Sequence, residues 1–177
     1  MTWPLRSSAT ARLMAIWKSA DARQEIYRLK HRPADKRLQM LAPDVETAVM
    51  AGLKPNVMLK KIGDAFWPGP LTVIAEANDG DTIGLRIPNH PFILKLLREL
   101  GEPLAATSAN LSGTPAAITP SDAVANLDGR PALLIDGGEV TVTGGASSTV
   151  VSLVGGTVKI LRQGPVTQED IQNALGG

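Results

Sequence analysis

Three stretches of this 177-residue sequence carry residue types that could do chemistry. The first is "LKHRP", with Lys30 and Arg32 two positions apart. Pro33 disfavours the α-region for the residue before it, so a helix arriving here is expected to end near Lys30. If Arg32 is then extended, alternation points both cations the same way. Converging cations suit a phosphate or carboxylate, Arg as a bidentate fork and Lys as a point charge. The plainer reading is a solvated basic helix end favoured by the macrodipole. The second is "AATSANLSG", where Thr107, Ser108, Asn110 and Ser112 supply three hydroxyls and an amide after an apolar approach. Such groups at a strand end can hold a polar ligand, because ligands of open α/β sheets collect beyond the carboxyl ends of strands. They can equally form an Asx or Ser/Thr turn. The third is the tail, where Ser148 precedes one apolar run and Arg162 ends another beside Gly164. An arginine there reads as an anion contact or as a surface charge.

Other catalytic sets are missing. His31 and His90 are the two histidines and cysteine is absent, so zinc with ordinary ligand spacing is not expected and disulfide and thiolate chemistry are excluded. Neither the P-loop pattern nor the dinucleotide glycine fingerprint occurs. No G-x-S-x-G elbow is present, and a serine triad would have two histidines to draw on.

The elements that must position these groups follow from periodicity. "SADARQEIYRLKH" reads as a helix capped by Ser19, with Ala22, Ile26 and Leu29 on one face. "PDVETAVMAGL" and "PNVMLKKIGDAF" read as short helices. "LTVIAEA" and "TIGLRIP" read as strands flanking the turn "NDGD". "HPFILKLLREL" is an amphipathic helix stopped by Gly101, "PLAATS" a buried strand, and "TPSDAVANL" a capped helix. "ALLIDGG", "STVVSL" and "TVKILRQG" are β-rich runs, and "TQEDIQNALGG" is a closing helix with Thr167 and Asp170 at capping-box spacing. "FWPGPLT" reads as structural, Trp67 plugging the core against a Pro-Gly-Pro corner. Residues 1–18 show no clean period. Strands and helices alternating irregularly predict an α/β domain around a twisted, mostly mixed sheet.

Composition narrows the class. Lys plus Arg is 18 against 17 for Asp plus Glu, so the net charge of +1 makes no case for nucleic acid or membrane. The 44% hydrophobic and 20% charged content is that of an ordinary soluble domain, and this length fits one. No apolar run approaches the roughly 18 residues of a membrane span, and the start has no signal-peptide core. A cytoplasmic protein is the expectation.

"IYRLKHRP", "FWPGPLT", "RIPNHP", "PLAATSANLSGTP", "SSTVV" and "ILRQG" stand in the order and approximate spacing of the YrdC-like family, which this chain resembles from about Ala22 to Gly164. The resemblance implies a YrdC-like (RibB-like) α/β fold with a concave, positively charged ligand cavity. It implies a threonylcarbamoyl-AMP synthase, a nucleotidyltransferase that condenses L-threonine, bicarbonate and ATP and releases pyrophosphate. Mg²⁺ accompanies the ATP, with no dedicated metal site. The product serves tRNA modification, which implies downstream threonylcarbamoyl-transferase partners and tRNA or double-stranded RNA contact. By position, the family's K-x-R falls on Lys30 and Arg32, its S-x-N on Ser108 and Asn110, its S-T-V-V serine on Ser148 and its L-R-x-G arginine on Arg162. In that role Lys30, Arg32 and Arg162 neutralise phosphate and carboxylate, Lys30 and Arg32 being the catalytic pair. Ser108, Asn110 and Ser148 orient ATP and threonine.

Two departures stand out. Where the family has P-T-[DE]-T-V-Y-G-L this chain reads "RSSATARLMAIW", and "ADKRLQML" replaces the usual "NKPL" run. Residues 1–18 are therefore expected to form an atypical segment before a YrdC-like domain over 19–177, of the single-domain type, with synthase activity reduced or absent. A reading-frame change upstream of residue 20 would produce such an abrupt start. The alternative function is a non-catalytic nucleotide- or RNA-binding YrdC-like module. A carbamoyl-transfer domain of hydrogenase maturation shares the fold, but the zinc-finger and acylphosphatase-like segments that accompany it are missing here.

Overall fold

The computed structural model describes residues 11–135, except 116 and 118, and residues 147–176. In chain order the elements begin with β1 (Arg12–Ile16), α1 (Ala20–Lys30), β2 (Gln39–Leu41), α2 (Val45–Met50), α3 (Val57–Phe66), β3 (Leu71–Glu76) and β4 (Thr82–Arg86). They continue with α4 (Pro91–Leu100), β5 (Leu104–Ser108), α5 (Pro120–Ala125), β6 (Thr149–Ser152), β7 (Lys159–Arg162) and α6 (Gln168–Leu175). The chain divides into two compact units, the first of residues 1–38 and 105–145, the second of 39–104 and 146–177.

In the first unit β1 neighbours β5. Leu13 of β1, Ile26 and Leu29 of α1, and Ala105 of β5 share one apolar cluster with Leu38, Ala109, Ala117 and Ala123. The alanines on the β5 side let the helix face close on the strand with little side-chain bulk. Ser19 caps α1 by accepting from the Ala22 amide at 3.2 Å. The helix ends at His31, whose backbone is left-handed at φ 47°. β1 was not anticipated, because "RLMAI" has neither clean alternation nor a turn signal.

The second unit holds a mixed sheet in the order β2-β4-β3-β6-β7. β2 runs parallel to β4, β3 antiparallel to β4, β3 parallel to β6, and β6 antiparallel to β7. The β3–β4 hairpin matches the reading from "NDGD", with Val73 opposite Leu85 and Ala75 opposite Ile83, all buried. Leu59 and Ile62 of α3, Leu97 of α4 and Ile171 of α6 bury their apolar faces. The Pro-Gly-Pro corner has the structural role expected of it. Its Trp67–Pro68 bond is cis, and the half-buried indole donates to the Leu71 carbonyl at 2.9 Å. The indole leaves no room for a side chain at Gly63, where an added Cβ would sit 2.9 Å from the ring.

One strand expectation fails. Ala132–Ile135 is irregular and exposed, and the rest of "ALLIDGG" lies outside the described residues. An apolar β-branched run supplies propensity, but a strand also needs a partner ladder, and none of the described strands offers one here. Among the described residues no helix is long and apolar enough to cross a membrane.

The capping box forms as its spacing predicts. Thr167 Oγ1 accepts from the Asp170 amide at 3.1 Å, and Asp170 Oδ2 accepts from the Thr167 amide at 2.8 Å. Thr167→Ala should cost about 1 kcal/mol, read as a fall in Tm of roughly 2–4 °C for a chain of this size.

Candidate functional site

Four of the expected site residues meet inside the first unit. Lys30 is the last residue of α1 and is 1% exposed. Its ammonium donates to the backbone carbonyls of Ser108 and Asn110, at the carboxyl end of β5, and reaches Asn110 Oδ1 at 3.5 Å. The half-buried Arg32 is held by three acceptors. Its Nε donates to the Lys36 carbonyl at 2.7 Å, Nη2 to the Arg37 carbonyl at 2.8 Å and Nη1 to Thr107 Oγ1 at 3.4 Å.

Lys30 and Arg32 converge, but not by strand alternation. The left-handed turn at His31 stops the helix directly after Lys30 and redirects the chain, and both cations then reach β5 from the helix end. Burial, and secondly the positive charge of Arg32, push the Lys30 ammonium down to about 8. Among the described residues no carboxylate lies within ion-pair distance of either cation. Two neighbouring cations without a counter-ion repel each other, and an anion placed between them relieves that repulsion.

The "TSAN" wall divides its labour. Asn110 is buried, and its amide donates to the Leu111 and Thr114 carbonyls, both at 2.8 Å. Its side chain thus closes the turn and keeps its own carbonyl aimed at Lys30. Ser108 is half-exposed, with its carbonyl on Lys30.

Ser148 and Arg162 meet inside the second unit. Ser148, 6% exposed, ends the approach to β6. Arg162, at the end of β7, donates from Nε and Nη2 to the Ser148 carbonyl at 3.1 and 2.9 Å, and from Nη2 to Ser148 Oγ at 3.3 Å. A register shift sets this up. Val150 faces Arg162 while Val151 faces Ile160, so Leu161 is the extra residue of a bulge that re-aims the arginine. Gly164 follows so closely that an added Cβ would lie within 3.0 Å of Ser147 O, Ser148 C and Thr149 N. The "LRQG" glycine is thus a packing requirement of the serine it faces.

Two residues escaped the sequence reading, Thr72 and Gln39. Thr72 is 6% exposed and lies 3.1 Å, oxygen to oxygen, from Ser148. Gln39 Nε2 donates to Thr72 Oγ1 at 2.6 Å. Threonine is isosteric with valine, so in "LTVIAEA" it blends into an apolar strand. Gln39 opening "QML" was a weak signal, a polar residue at the head of a buried strand. Among the described residues no cluster of three His, Cys, Asp or Glu is placed to hold a metal.

The chain belongs to the Sua5/YciO/YrdC family, whose model, described as telomere recombination, matches residues 9–164. It is 36% identical over 170 residues to a threonylcarbamoyl-AMP synthase of Bacillus subtilis, covering 90% of this chain and 48% of the relative. It is 31% identical over 155 residues to a threonylcarbamoyl-AMP synthase of Vibrio parahaemolyticus, covering 81% of this chain and 82% of that one. Its fold superposes on Pyrococcus abyssi Sua5 complexed with L-threonine with a TM-score of 0.80 at 29% identity, covering 95% of this chain and 52% of the other. The chain thus spans about half the length of the Bacillus and Pyrococcus relatives.

Proposed function

We propose that this chain is a threonylcarbamoyl-AMP synthase that condenses L-threonine, bicarbonate and ATP. The observation that carries the reading is the buried Lys30 beside Arg32 with no carboxylate partner among the described residues. The names of the Bacillus and Vibrio relatives and the threonine bound to the Pyrococcus structure support the same substrates.

The chemistry needs charge stabilisation more than a covalent nucleophile. The threonine amine adds to the carbon of bicarbonate, and loss of water leaves a carbamate. A carbamate oxygen then attacks the α-phosphorus, the bond to the β-phosphate bridging oxygen breaks, and pyrophosphate leaves with that electron pair. Negative charge builds on the α-phosphate and the leaving group, where fixed cations and aimed donors lower the barrier. Within the first unit, Lys30 and Arg32 are the cations suited to that role, and Ser108 and Asn110 shape the strand end beside them. Within the second unit, Ser148 and Arg162 pair a hydroxyl with a cation. Mg²⁺ would enter on the nucleotide's own phosphate oxygens. The product, a mixed anhydride, is suited to delivery by a transferase to tRNA in the cytoplasm.

The proposal includes a reduced rate. Arg12–Ile16 folds as β1 with Leu13 buried, and the window "RSSATARLMAIW" carries none of the proline, acidic, tyrosine and glycine residues of the family's P-T-[DE]-T-V-Y-G-L. Incubation with ATP, threonine and bicarbonate tests both statements. Threonine-dependent pyrophosphate, released more slowly than by the Vibrio relative under the same conditions, is the expected result. Nucleotide binding with no threonine-dependent pyrophosphate would instead make the chain a binding module.

A further inference from the structure

Four polar side chains of the second unit form a line: Gln39, Thr72, Ser148 and Arg162. Gln39 Nε2 donates to Thr72 Oγ1 at 2.6 Å, the two hydroxyl oxygens lie 3.1 Å apart, and Arg162 Nη2 donates to Ser148 Oγ at 3.3 Å. Thr72 and Ser148 are each 6% exposed, so water does little to complete their hydrogen bonding. Sequence places the four far apart, and Gln39 falls in the "ADKRLQML" run that departs from the family pattern.

The protons of this line can be counted. Each hydroxyl has one proton and two lone pairs. Both ends of the line are closed by N–H donors, which use a lone pair on each oxygen and none of the hydroxyl protons. The link between Thr72 and Ser148 uses one hydroxyl proton, whichever residue supplies it. One hydroxyl proton is therefore always left over, and it can be satisfied only by an acceptor from outside the line. With Thr72 donating to Ser148, both Ser148 lone pairs are filled and its proton is the spare one.

We propose that Gln39 and Thr72 are positioning residues: by donating to Thr72 without taking its proton, Gln39 leaves Thr72 free to donate to Ser148. In that arrangement the Ser148 proton points outward, so that this wall can take an anionic oxygen, carboxylate or phosphate. This rests on the reading that Ser148 belongs to the substrate site. It assigns Gln39 a role that its carboxylate counterpart cannot play. A glutamate at this position accepts only, so Thr72 would donate to it, Ser148 would donate to Thr72, and no outward proton would remain.

Binding of L-threonine and of ATP, each measured by calorimetry on the whole chain, together with KM and kcat for pyrophosphate release, tests the line. Thr72→Val keeps the shape and removes the link. It should weaken one of the two substrates about 10-fold, the worth of one buried hydrogen bond, with kcat changed less than KM. Thr72→Ser should restore the affinity. The two ligands separate a carboxylate contact from a phosphate contact. Gln39→Glu should weaken the same substrate at least 10-fold, and Gln39→Met, which merely cuts the end, only a few-fold. The deciding comparison is the double variant. If the carboxylate introduced by Gln39→Glu acts through the line, its penalty largely vanishes in the Thr72→Val background; a charge acting through space adds its full penalty there too. Additive penalties, or a folded Thr72→Val protein with unchanged affinity for both substrates, would overturn the positioning role and leave the synthase reading standing. Wild-type protein that binds neither threonine nor ATP would overturn both.

Discussion

Threonine-dependent pyrophosphate release should fall roughly 100- to 1,000-fold when Lys30 is replaced by methionine, the usual cost of losing one preorganised group that stabilises developing negative charge. Methionine preserves most of the volume, so the loss should not come from collapse of the first unit. Two opposing changes in stability accompany the substitution. Burying the ammonium at a position that lowers its pKa from 10.5 to about 8 costs the folded state about 3 kcal/mol below pH 8. Removing it relieves that cost but leaves the Ser108 and Asn110 carbonyls without their donor, at about 1–3 kcal/mol each. The net change in Tm near neutral pH is therefore expected to be small.

The pH dependence carries the sign that tests this account. The folded pKa lies below the unfolded one, so between about 8 and 10.5 the unfolded chain binds more protons. Stability from this group then rises with pH across that window. Denaturant melts of the wild type should show this rise, and those of Lys30→Met should lack it. Nucleotide binding runs the other way, weakening above pH 8 as Lys30 loses the charge an anion needs. A wild type whose ATP affinity is flat from pH 7 to 9.5, or a Lys30→Met protein that keeps a tenth of the activity, would remove Lys30 from the reacting centre.

Gly164→Ala should lower stability by about 2–4 kcal/mol, as overpacking against a rigid neighbour does, and should cut substrate binding with it. The added Cβ would fall within 3.0 Å of Ser147 O, Ser148 C and Thr149 N. All three are backbone atoms, so no rotamer change makes room. Nor can the loop simply lift, because Thr149 Oγ1 donates to the Val166 carbonyl at 2.8 Å and accepts from the Val166 amide at 3.1 Å. Either this clamp yields or Ser148 moves off Arg162. Gly84→Ala in β4 is the control. Its Cβ would meet side-chain atoms of Thr72 and Ile74 at 3.7 and 3.8 Å, ordinary contact distances, so its Tm should change little. Equal Tm values for Gly164→Ala and wild type would show that the loop has freedom this packing denies it.

Local signals were read well because they act over one helical turn. Ser19, Asn56, Thr119 and Thr167 each cap the helix they precede, and alternation around "NDGD" gave the β3–β4 hairpin. β1 and β2 were not read, since five or three residues of strand owe their state to the neighbour they pair with. Ala132–Ile135 errs the other way, propensity without a described partner. At the site, the residue types of "LKHRP" left an anion contact and a solvated basic helix end both open, and the burial of Lys30 speaks against the second. The route by which its cations converge lay in one left-handed residue, His31, that no pattern announces.

The sequence by itself determined the chemistry on offer: two cations, a strand end of small hydrogen-bonding groups, a serine and an arginine at later strand ends, and the family whose motifs they match. Only the tertiary structure decided which of those groups remain for a ligand. Asn110 has both amide protons engaged in its own turn, Lys30 is buried deeply enough to titrate near 8, and Ser148 stands in a line that begins at Gln39, far earlier in the chain. The reason is the range of the forces. Propensity and capping are settled among neighbours in the chain, whereas desolvation and the direction of a hydroxyl proton depend on every group the fold brings within a few ångströms.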